Sequence, residues 1–578
     1  MHRGRTSALV AIAGVAVAAF GAAGAAPAVI AASSTSTPVK HLVVIFQENV
    51  SFDHYFGTYP KAANPPSQPR FTANEDTPHV AGLSHTLLTA NPNLGNPQRL
   101  DRTQPLTCDQ GHDYTPEQNA VDHGAMDKFV QNTGAGLTLA QCLAAEYGTS
   151  FPATPGNYAV MDYYDGNTVT ALWNYAQRFA MSDRSFGTTY GPSTPGALNV
   201  TAANTAVATC GASAAAGLVS GGDSNIYDAN GNVLPCPGGV STAAPPGSGQ
   251  GHGTGTVVSD PDQYFDACSN PKVTAALTGR NIGDELTAQG ITWGWFNGGF
   301  SSPGYVPGQP QTFNAATICK GKHYNIGAGA ANDGQPCTLN GGPLDRWCVT
   351  DYSAHHEPFQ YYASTSNPTH MPPSSVALIG TNSDGANHQY DLADFWAAAN
   401  SGHLPAVSYL KAPKFQDGHA GYSDPLDEQH FLADTLNKVQ HLPDWRSTAV
   451  VVAYDDSDGW YDHLLSPVRT SSSTPLDTLT GLNSCSGEDA GFPGQQARCG
   501  LGPRLPLLVI SPFARRDYVD HHVTEQASVV RFIEDNWHLS RLGGGAVDAS
   551  AGSLAHLLDY DSPHFGRLIL DPTTGLRV

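Results

Sequence analysis

Basic residues are scarce in this chain. It has 28 lysines and arginines against 50 aspartates and glutamates, so its formal net charge is -22 over 578 residues. Proteins that bind a nucleic-acid backbone need clustered positive charge, and we therefore expect no nucleic-acid partner. Long apolar runs are also missing beyond the amino terminus, where no stretch approaches the roughly 18 residues that span a bilayer. We expect no integral membrane association.

Several short motifs are absent as well. The ten cysteines include no C-x-x-C pair, which disfavours a zinc ribbon. No G-x-S-x-G is present, which disfavours the nucleophile elbow of an α/β-hydrolase, and no C-x-P-x-R is present, which disfavours a sulfatase. An even number of cysteines in an exported chain predicts disulfides, although their pairing does not follow from spacing.

The amino terminus is typical of a secretory signal peptide. Arg3 and Arg5 precede an apolar run from Ala8 to Ala22, and small residues follow. We predict a signal peptide over residues 1–32 and a secreted or periplasmic protein. The two arginines are not adjacent, so a twin-arginine export route is not indicated.

Four apolar runs, each followed by a polar cluster, indicate buried strands. They begin at Leu42 and cover residues 405–410, 448–454 and 505–510. Helical spacing of apolar residues marks about 168–179, with Asn167 or Thr168 as its cap, and also 428–440 and 525–539. Strands that alternate with helices predict an α/β fold with a central, mostly parallel sheet flanked by helices.

The composition divides the chain into a core and an insertion. We predict a catalytic core over 38–200 and 350–578, with residues 58–125 as a long loop. Residues 201–349 are rich in Ala, Gly and Ser and contain six of the cysteines, which predicts an insertion or cap stapled by disulfides. Within it, residues 291–299 read as a short aromatic strand that returns to the core.

Two pairs of oxygen-bearing side chains stand where predicted strands end. Glu48 with Asn49 and Asp455 with Asp456 are ligands that hard divalent cations prefer, and one site can hold both pairs. The alternative for each pair is an ordinary polar surface turn.

A nucleophile and general acids have less specific candidates. The turn GPSTPG offers Ser193 and Thr194, although a Pro-Ser turn is common in exported proteins. A phosphoryl or sulfuryl transfer site needs hydrogen-bond donors and an acid, which imidazoles supply. Of the 23 histidines, those beside polar turns are His112, His355, His356, His419 and His463.

The order of the longer motifs resembles a known family. ENVSFDHYFG, GPSTPG, HHEPF, DGHAGYSDP, YDDSDGWYDH and GLGPRLPLLVISPFA are similar to the bacterial phosphoesterase family that contains acid phosphatase A and the nonhaemolytic phospholipases C. The resemblance covers residues 40–200 and 350–540. It implies a fold related to alkaline phosphatases and sulfatases, with one divalent metal ion (Ca²⁺, Mg²⁺ or Mn²⁺) and a phosphorylated Ser or Thr.

The same resemblance assigns roles to residues. It implies metal ligation by Glu48, Asn49, Asp455, Asp456 and the nucleophile Ser193. Phosphate binding or leaving-group protonation would involve His112, His356 and His419, with His355 as an alternative to its neighbour. His463 would lie behind the ligands.

Four positions depart from the phospholipase pattern or from the family as a whole. The phospholipase motifs ENRSFDHYFG and GPTxPNR have Arg, Thr and Asn where this chain has Val50, Ser193 and Gly196. These three positions resemble the acid phosphatase branch, and Asp458 replaces a usual Gly.

We therefore expect an acid phosphatase that acts on small phosphomonoesters through a phosphoserine. The alternative is a phospholipase C that cleaves phosphatidylcholine-type lipids. A binding protein that lost its chemistry is disfavoured because every motif residue is present. The sequence does not indicate the oligomeric state.

Overall fold

The computed structural model describes residues 34–148, 157–210, 226–227, 254–270, 274–309, 314, 316–487 and 496–578, together with Met1. Apart from Met1, the predicted signal peptide lies outside the described residues. The fold below is that of the compact unit Thr35–Val578.

Seventeen strands form the sheets in the part of the chain that the structure describes. They are β1 His41–Gln47, β2 Ala180–Ser182, β3 Ser185–Phe186, β4 Ala206–Cys210, β5 Ile226–Tyr227, β6 Thr254–Val257, β7 Asp262–Gln263, β8 Thr274–Leu277, β9 Trp293–Asn297, β10 Lys322–Tyr324, β11 Cys348–Thr350, β12 Gln389–Asp391, β13 Val407–Lys411, β14 Thr448–Tyr454, β15 Leu507–Ile510, β16 Tyr518–Asp520 and β17 Thr524–Glu525.

Eleven α-helices accompany them in the described residues. They are α1 Phe52–Phe56, α2 His85–Thr89, α3 Tyr114–Val121, α4 Phe129–Asn132, α5 Leu139–Tyr147, α6 Thr170–Arg178, α7 Ser193–Ala202, α8 Ile282–Ala288, α9 Leu392–Asn400, α10 Pro425–His441 and α11 Ala527–Trp537. None of these helices is long and apolar enough to cross a membrane.

Eight strands form the central sheet in the order β12-β9-β13-β1-β14-β15-β2-β16. The pairs from β12 to β14 are parallel, whereas β15 runs antiparallel to both of its neighbours. The α/β prediction with a mostly parallel sheet is confirmed. β1 and β14 are buried along almost their whole length because helices cover both faces of a parallel sheet.

Some local predictions were wrong. α6 begins at Thr170 after Val169, without a side-chain cap, because the Asn167 amide instead bonds Asn64 and the Pro69 carbonyl. The predicted loop 58–125 contains the short helices α2 and α3, which span five and eight residues. Helices of this length depend on packing more than on a repeating apolar pattern.

The middle of the chain contributes to three sheets, one of which is the antiparallel pair of β10 and β11. β5-β6-β4-β8-β7 form a separate five-stranded sheet, whereas the aromatic strand β9 pairs with β13 and β12 in the central sheet. Four disulfides join described cysteines: Cys108–Cys142, Cys268–Cys319, Cys337–Cys348 and Cys485–Cys499.

Three central strands bring distant loops together. β13, β1 and β14 are adjacent and parallel, and Gln47 at the end of β1 lies opposite Tyr454 at the end of β14. The segments that follow them therefore leave the sheet at one edge. In open α/β sheets this carboxyl edge is where ligands bind.

Candidate active site

The segments after β1 and β14 are tied by backbone contacts. The Asn49 N–H donates to Asp455 Oδ1 at 3.1 Å, and the Val50 N–H donates to the Asp456 carbonyl at 2.9 Å. The Glu48 N–H donates to the carbonyl of Asp417, which follows β13. The two pairs of ligand-type residues predicted from the sequence thus face one another.

A sharp turn delivers Ser193 to the same place. Gly191 has a φ of 115°, a conformation that favours glycine, and Ser193 is the first residue of α7. A Cβ placed on Gly196 would lie 2.1 Å from the Asp455 carbonyl oxygen. The helix therefore packs directly on the backbone after β14, and its amino terminus points its partial positive charge into the site.

The hydroxyl of Ser193 is surrounded by oxygen atoms. Its Oγ lies 3.1 Å from Glu48 Oε2, 3.2 Å from Asp456 Oδ2 and 3.4 Å from Asn49 Oδ1. One hydroxyl proton can satisfy only one of these three acceptors. The arrangement brings together four of the five predicted metal ligands.

The fifth, Asp455, has an unsatisfied oxygen. Its Oδ1 accepts two backbone N–H groups, while Oδ2 is buried with no hydrogen-bond partner. Burial raises the pKa of Asp455 well above its usual range. Burial also raises the pKa of Asp456, to about 7, although the nearby His112 partly opposes this shift. Buried carboxylates need a proton or a cation, so this donor set fits a hard divalent ion.

Glu48 has its own cationic partner. The Lys411 ammonium, 1% exposed at the end of β13, contacts Glu48 Oε1. Burial alone would raise the pKa of Glu48, but His356 and Lys411 outweigh it and hold the pKa well below its usual range. Lys411 is the lasting positive charge of the two, because burial lowers the pKa of His356, whereas the pKa of Lys411 is, despite burial, raised by Glu48. Glu48 therefore stays ionised, with Oε2 facing Ser193.

His112 and His419 lie on one side of the cluster, with ring centroids 6.1 Å apart. His112 Nε2 is 3.4 Å from the Asn49 amide, and its Nδ1 lies 2.7 Å from the Gln110 carbonyl and 3.2 Å from Asp458 Oδ1. Burial lowers the pKa of His112, yet Asp456 and Asp458 raise it well above its usual range. Burial lowers the pKa of His419.

His356 and His355 lie on another side. His356 Nε2 is 3.4 Å from Glu48 Oε2, and burial holds the pKa of His356 well below its usual range. The adjacent His355 contacts a different carboxylate, with Nδ1 3.4 Å from Asp262 Oδ1. Burial opposes ionisation of His355, but the Asp262 and Asp260 carboxylates raise its pKa.

His463 belongs to a different cluster. Its Nδ1 lies 2.6 Å from Asp53 Oδ2, and Arg504 bridges Asp53 and Asp462. Asp53 follows the Glu48–Asn49 pair at the start of α1, so this ion-pair network braces the segment that carries two of the predicted ligands.

The structure adds residues that sequence reasoning missed. Lys411 and Asp417 contact Glu48 or its partner His356, and both follow or end a predicted strand, which was the available indication. Glu117 accepts from the Gly191 N–H and the Ser457 hydroxyl, which links the turn before Ser193 to the loop after β14. Asp260 accepts from the Thr194 N–H at 2.8 Å.

Clusters of metal-binding type extend beyond the predicted ligands. Among the described residues, possible ligand atoms lie within 4.8 Å of one another in a group of Glu48, His356 and Asp417. A second such group contains Asp109, His112, His419 and Asp458.

Comparison with known proteins agrees with these features. The non-hemolytic phospholipase C of Pseudomonas aeruginosa is 33% identical over 147 residues, which cover 24% of this chain and 20% of that protein. The non-hemolytic phospholipase C of Burkholderia pseudomallei is 32% identical over 214 residues, which cover 34% of this chain and 29% of that protein. Phospholipase C A of Mycobacterium tuberculosis is 30% identical over 143 residues, or 24% of this chain and 26% of that protein.

Each of these matches spans less than a third of the relative's own length. The sequence pattern of the Phosphoesterase family, by contrast, matches residues 39–540, which cover most of the chain. The family predicted from the motifs is therefore confirmed: the chain belongs to the Phosphoesterase family.

Proposed function

We propose that the chain is a phosphoric ester hydrolase in which Ser193 is the nucleophile. The observation that carries this proposal is the convergence of Glu48, Asn49 and Asp456 oxygens on Ser193 Oγ within 3.4 Å. Family membership and the phospholipase C relatives support the same reaction class. Asp455, with its unsatisfied oxygen, completes the donor set.

The proposed reaction has two displacements. Ser193 Oγ forms a bond to phosphorus while the ester P–O bond breaks, and water then cleaves the phosphoserine. A divalent cation held by Glu48, Asn49, Asp455, Asp456 and Ser193 would offset negative charge on the reacting oxygens and favour ionisation of the serine hydroxyl. The positive end of α7 favours the same charge.

His112 is the proposed proton donor to the leaving alcohol. Its Nδ1 faces the Gln110 carbonyl, which leaves Nε2 toward Asn49 and the site. The carboxylates around it raise its pKa, so the ring carries the second proton that a general acid needs. His356 and His419 have lowered pKa values and are proposed to line the phosphate site as neutral rings.

We further propose that small phosphomonoesters are preferred over choline phospholipids. The Asn of the phospholipase motif cannot stand at position 196 without a backbone shift, because a Cβ there would lie 2.1 Å from the Asp455 carbonyl. The net charge of -22 also disfavours docking on anionic bilayers. One observation favours the second candidate, a phospholipase C. The relatives cited above are named phospholipases C.

A substrate comparison separates the two candidates. The measurement is kcat/KM of the purified mature protein for an aryl phosphate, a nucleoside monophosphate and dispersed phosphatidylcholine. We expect the first two to be hydrolysed with greater efficiency. Efficient release of phosphocholine with negligible monoester turnover would instead identify a phospholipase C.

Export and domain organisation are part of the proposal. We propose that residues 1–32 direct export to a secreted or periplasmic location and that 201–349 form an insertion or cap on the core. Amino-terminal sequencing of the protein from a native host tests the first point. A mature chain that still begins at Met1 would contradict it.

A further inference from the structure

A cavity of about 550 Å³ lies beside the proposed nucleophile. One wall contains Asp260, whose carboxylate accepts the N–H of Thr194, the residue after Ser193. Another contains His355, whose ring centroid lies 4.5 Å from that of His356. Ser193 and the proposed metal ligands do not line the cavity, but these two contacts connect its walls to the proposed reacting centre, and the alcohol part of a phosphoester can extend in this direction.

The lining of this cavity is polar and charged. Lys320 and Lys414 contribute ammonium groups, and Asp260 and Asp262 contribute carboxylates. Both carboxylates already have partners, since Asp262 pairs with His355 and Asp260 binds the Thr194 N–H. A diacylglycerol would find little apolar surface in such a lining.

The two lysines differ from the two carboxylates in their partners. In the part of the chain that the structure describes, neither Lys320 nor Lys414 forms a salt bridge, defined by an N–O distance of at most 4.0 Å. The Lys414 ammonium lies 4.0 Å from the centroid of the Tyr422 ring, and that ring stacks on His419 at 4.2 Å. Lys414 thus extends from the cavity toward the proposed phosphate site without a direct ion pair, while burial lowers its pKa against the effect of carboxylates farther away, Asp417 and Glu48 among them.

Lys320 is fixed by a covalent link. It follows Cys319, which is joined to Cys268, and both cysteines line the cavity. Tyr352, on the same wall, donates to buried Asp266 at 2.5 Å. The wall that carries Lys320 is therefore built into the fold.

We propose that this cavity selects substrates whose alcohol part carries its own anionic group, such as a carboxylate or a second phosphate, and that Lys320 and Lys414 bind that group. The inference rests on the proposed phosphoester hydrolysis and adds the class of leaving group. Basic residues are scarce in this chain, yet two lysines without a salt bridge among the described residues line one cavity. Their ammonium groups would attract an anionic alcohol and would give a neutral alcohol no such stabilisation.

The test compares three aryl phosphates of similar size. Phenyl phosphate is the parent, 4-carboxyphenyl phosphate adds the charge, and 4-carbamoylphenyl phosphate is its neutral isostere. We expect kcat/KM for the carboxyl compound to exceed that for the carbamoyl compound by about tenfold, as a charged hydrogen bond allows. The ratio should fall several-fold in Lys414→Met and in Lys320→Met, which keep the apolar stem and remove the charge.

Lys438→Met is the matched control, because Lys438 lies exposed on α10 and pairs with Asp434. It should leave the ratio as in the wild type. Inhibition of the wild type by 4-hydroxybenzoate and by 4-hydroxybenzamide tests the cavity without any variant, and the acid should bind about tenfold more tightly.

Equal kcat/KM values for the carboxyl and carbamoyl substrates, or equal inhibition by the two phenols, would overturn the inference while leaving the proposed function intact. A ratio that persists in both lysine variants would overturn the assignment to this cavity. Failure to hydrolyse any of the three phosphates would overturn the proposed function and, with it, this inference.

Discussion

The hydroxyl of Ser193 is the point on which the proposed chemistry depends. Three acceptor oxygens lie within 3.4 Å of it, although it has one proton to donate. Such crowding of oxygens is unfavourable for a structural serine, which usually has one clear partner. It is favourable for a nucleophile that works beside a cation.

The first prediction concerns that serine. Ser193→Ala should lower kcat by a factor on the order of 10³ or more, because no other hydroxyl of the described residues hydrogen-bonds to these oxygens and could accept the phosphoryl group. Rapid acid quench followed by mass spectrometry should find phosphate on Ser193 in the wild type. Thr194→Val is the control, since the Thr194 hydroxyl contacts Tyr361 instead of the carboxylates. Inversion of configuration at a chiral phosphorus would contradict the two-step reaction.

The second prediction concerns Lys411. Its ammonium is buried against Glu48, and removing one member of a buried ion pair leaves the other charge uncompensated. Lys411→Met should therefore lower the free energy of unfolding by about 3–5 kcal/mol, measured by denaturant unfolding. The double variant Lys411→Met/Glu48→Gln should recover much of that loss. An additive loss in the double variant would show that the pair does not interact as the structure indicates.

The pairing of side chains within the site could not be predicted from the sequence. Glu48, Asn49, Asp455 and Asp456 were predicted because each pair ends an apolar run, and the structure brings them together. Lys411 also ends such a run, but its partner Glu48 is 363 residues away. A pairing over that distance depends on strand order, which local pattern does not contain.

At the scale of elements, strand length and burial made the sheet predictable. The run 448–454 coincides with β14, because a strand buried on both faces must be apolar along its whole length. The direction of β15 was not predictable in the same way. Its apolar run looks like that of a parallel strand, but it pairs antiparallel with β14 and β2.

The third prediction concerns the contact of α7 with the segment after β14. Glycine weakens a helix interior, so Gly196→Ala would stabilise an isolated helix by about 1 kcal/mol. Here the added Cβ would lie 2.1 Å from the Asp455 carbonyl oxygen and would push α7 away. We expect a net loss of about 1–3 kcal/mol in unfolding free energy, together with a fall in kcat. A more stable variant with full activity would show that this close contact is not required.

At the scale of the whole molecule, acidity is the dominant property. The net charge of -22 is spread over a chain whose site itself gathers three buried carboxylates around one serine. The net charge follows from composition, and the motifs at the strand ends predicted the cluster of carboxylates. The structure connects them, because a site of this charge in an acidic protein is stable only with protons or a cation bound.

The fourth prediction concerns how the stability of the metal-free protein depends on pH. Without a cation, burial raises the pKa of Asp456 to about 7, far above the ordinary value of 3.8, and Asp455 shifts in the same direction. A raised carboxyl pKa means that the folded state binds more protons than the unfolded state between about pH 4 and 7. The stability of the metal-free protein should therefore fall as pH rises through this window.

A bound divalent cation offsets the same charges, so chelation should lower Tm only slightly at pH 5 and by a larger amount at pH 8. Differential scanning calorimetry of the metal-loaded and chelated protein at both pH values measures this difference. Asp456→Asn removes one of the charges and should bring the two chelation effects closer together. An equal loss of Tm at pH 5 and pH 8 in the wild type would show that the buried carboxylates do not control metal-dependent stability.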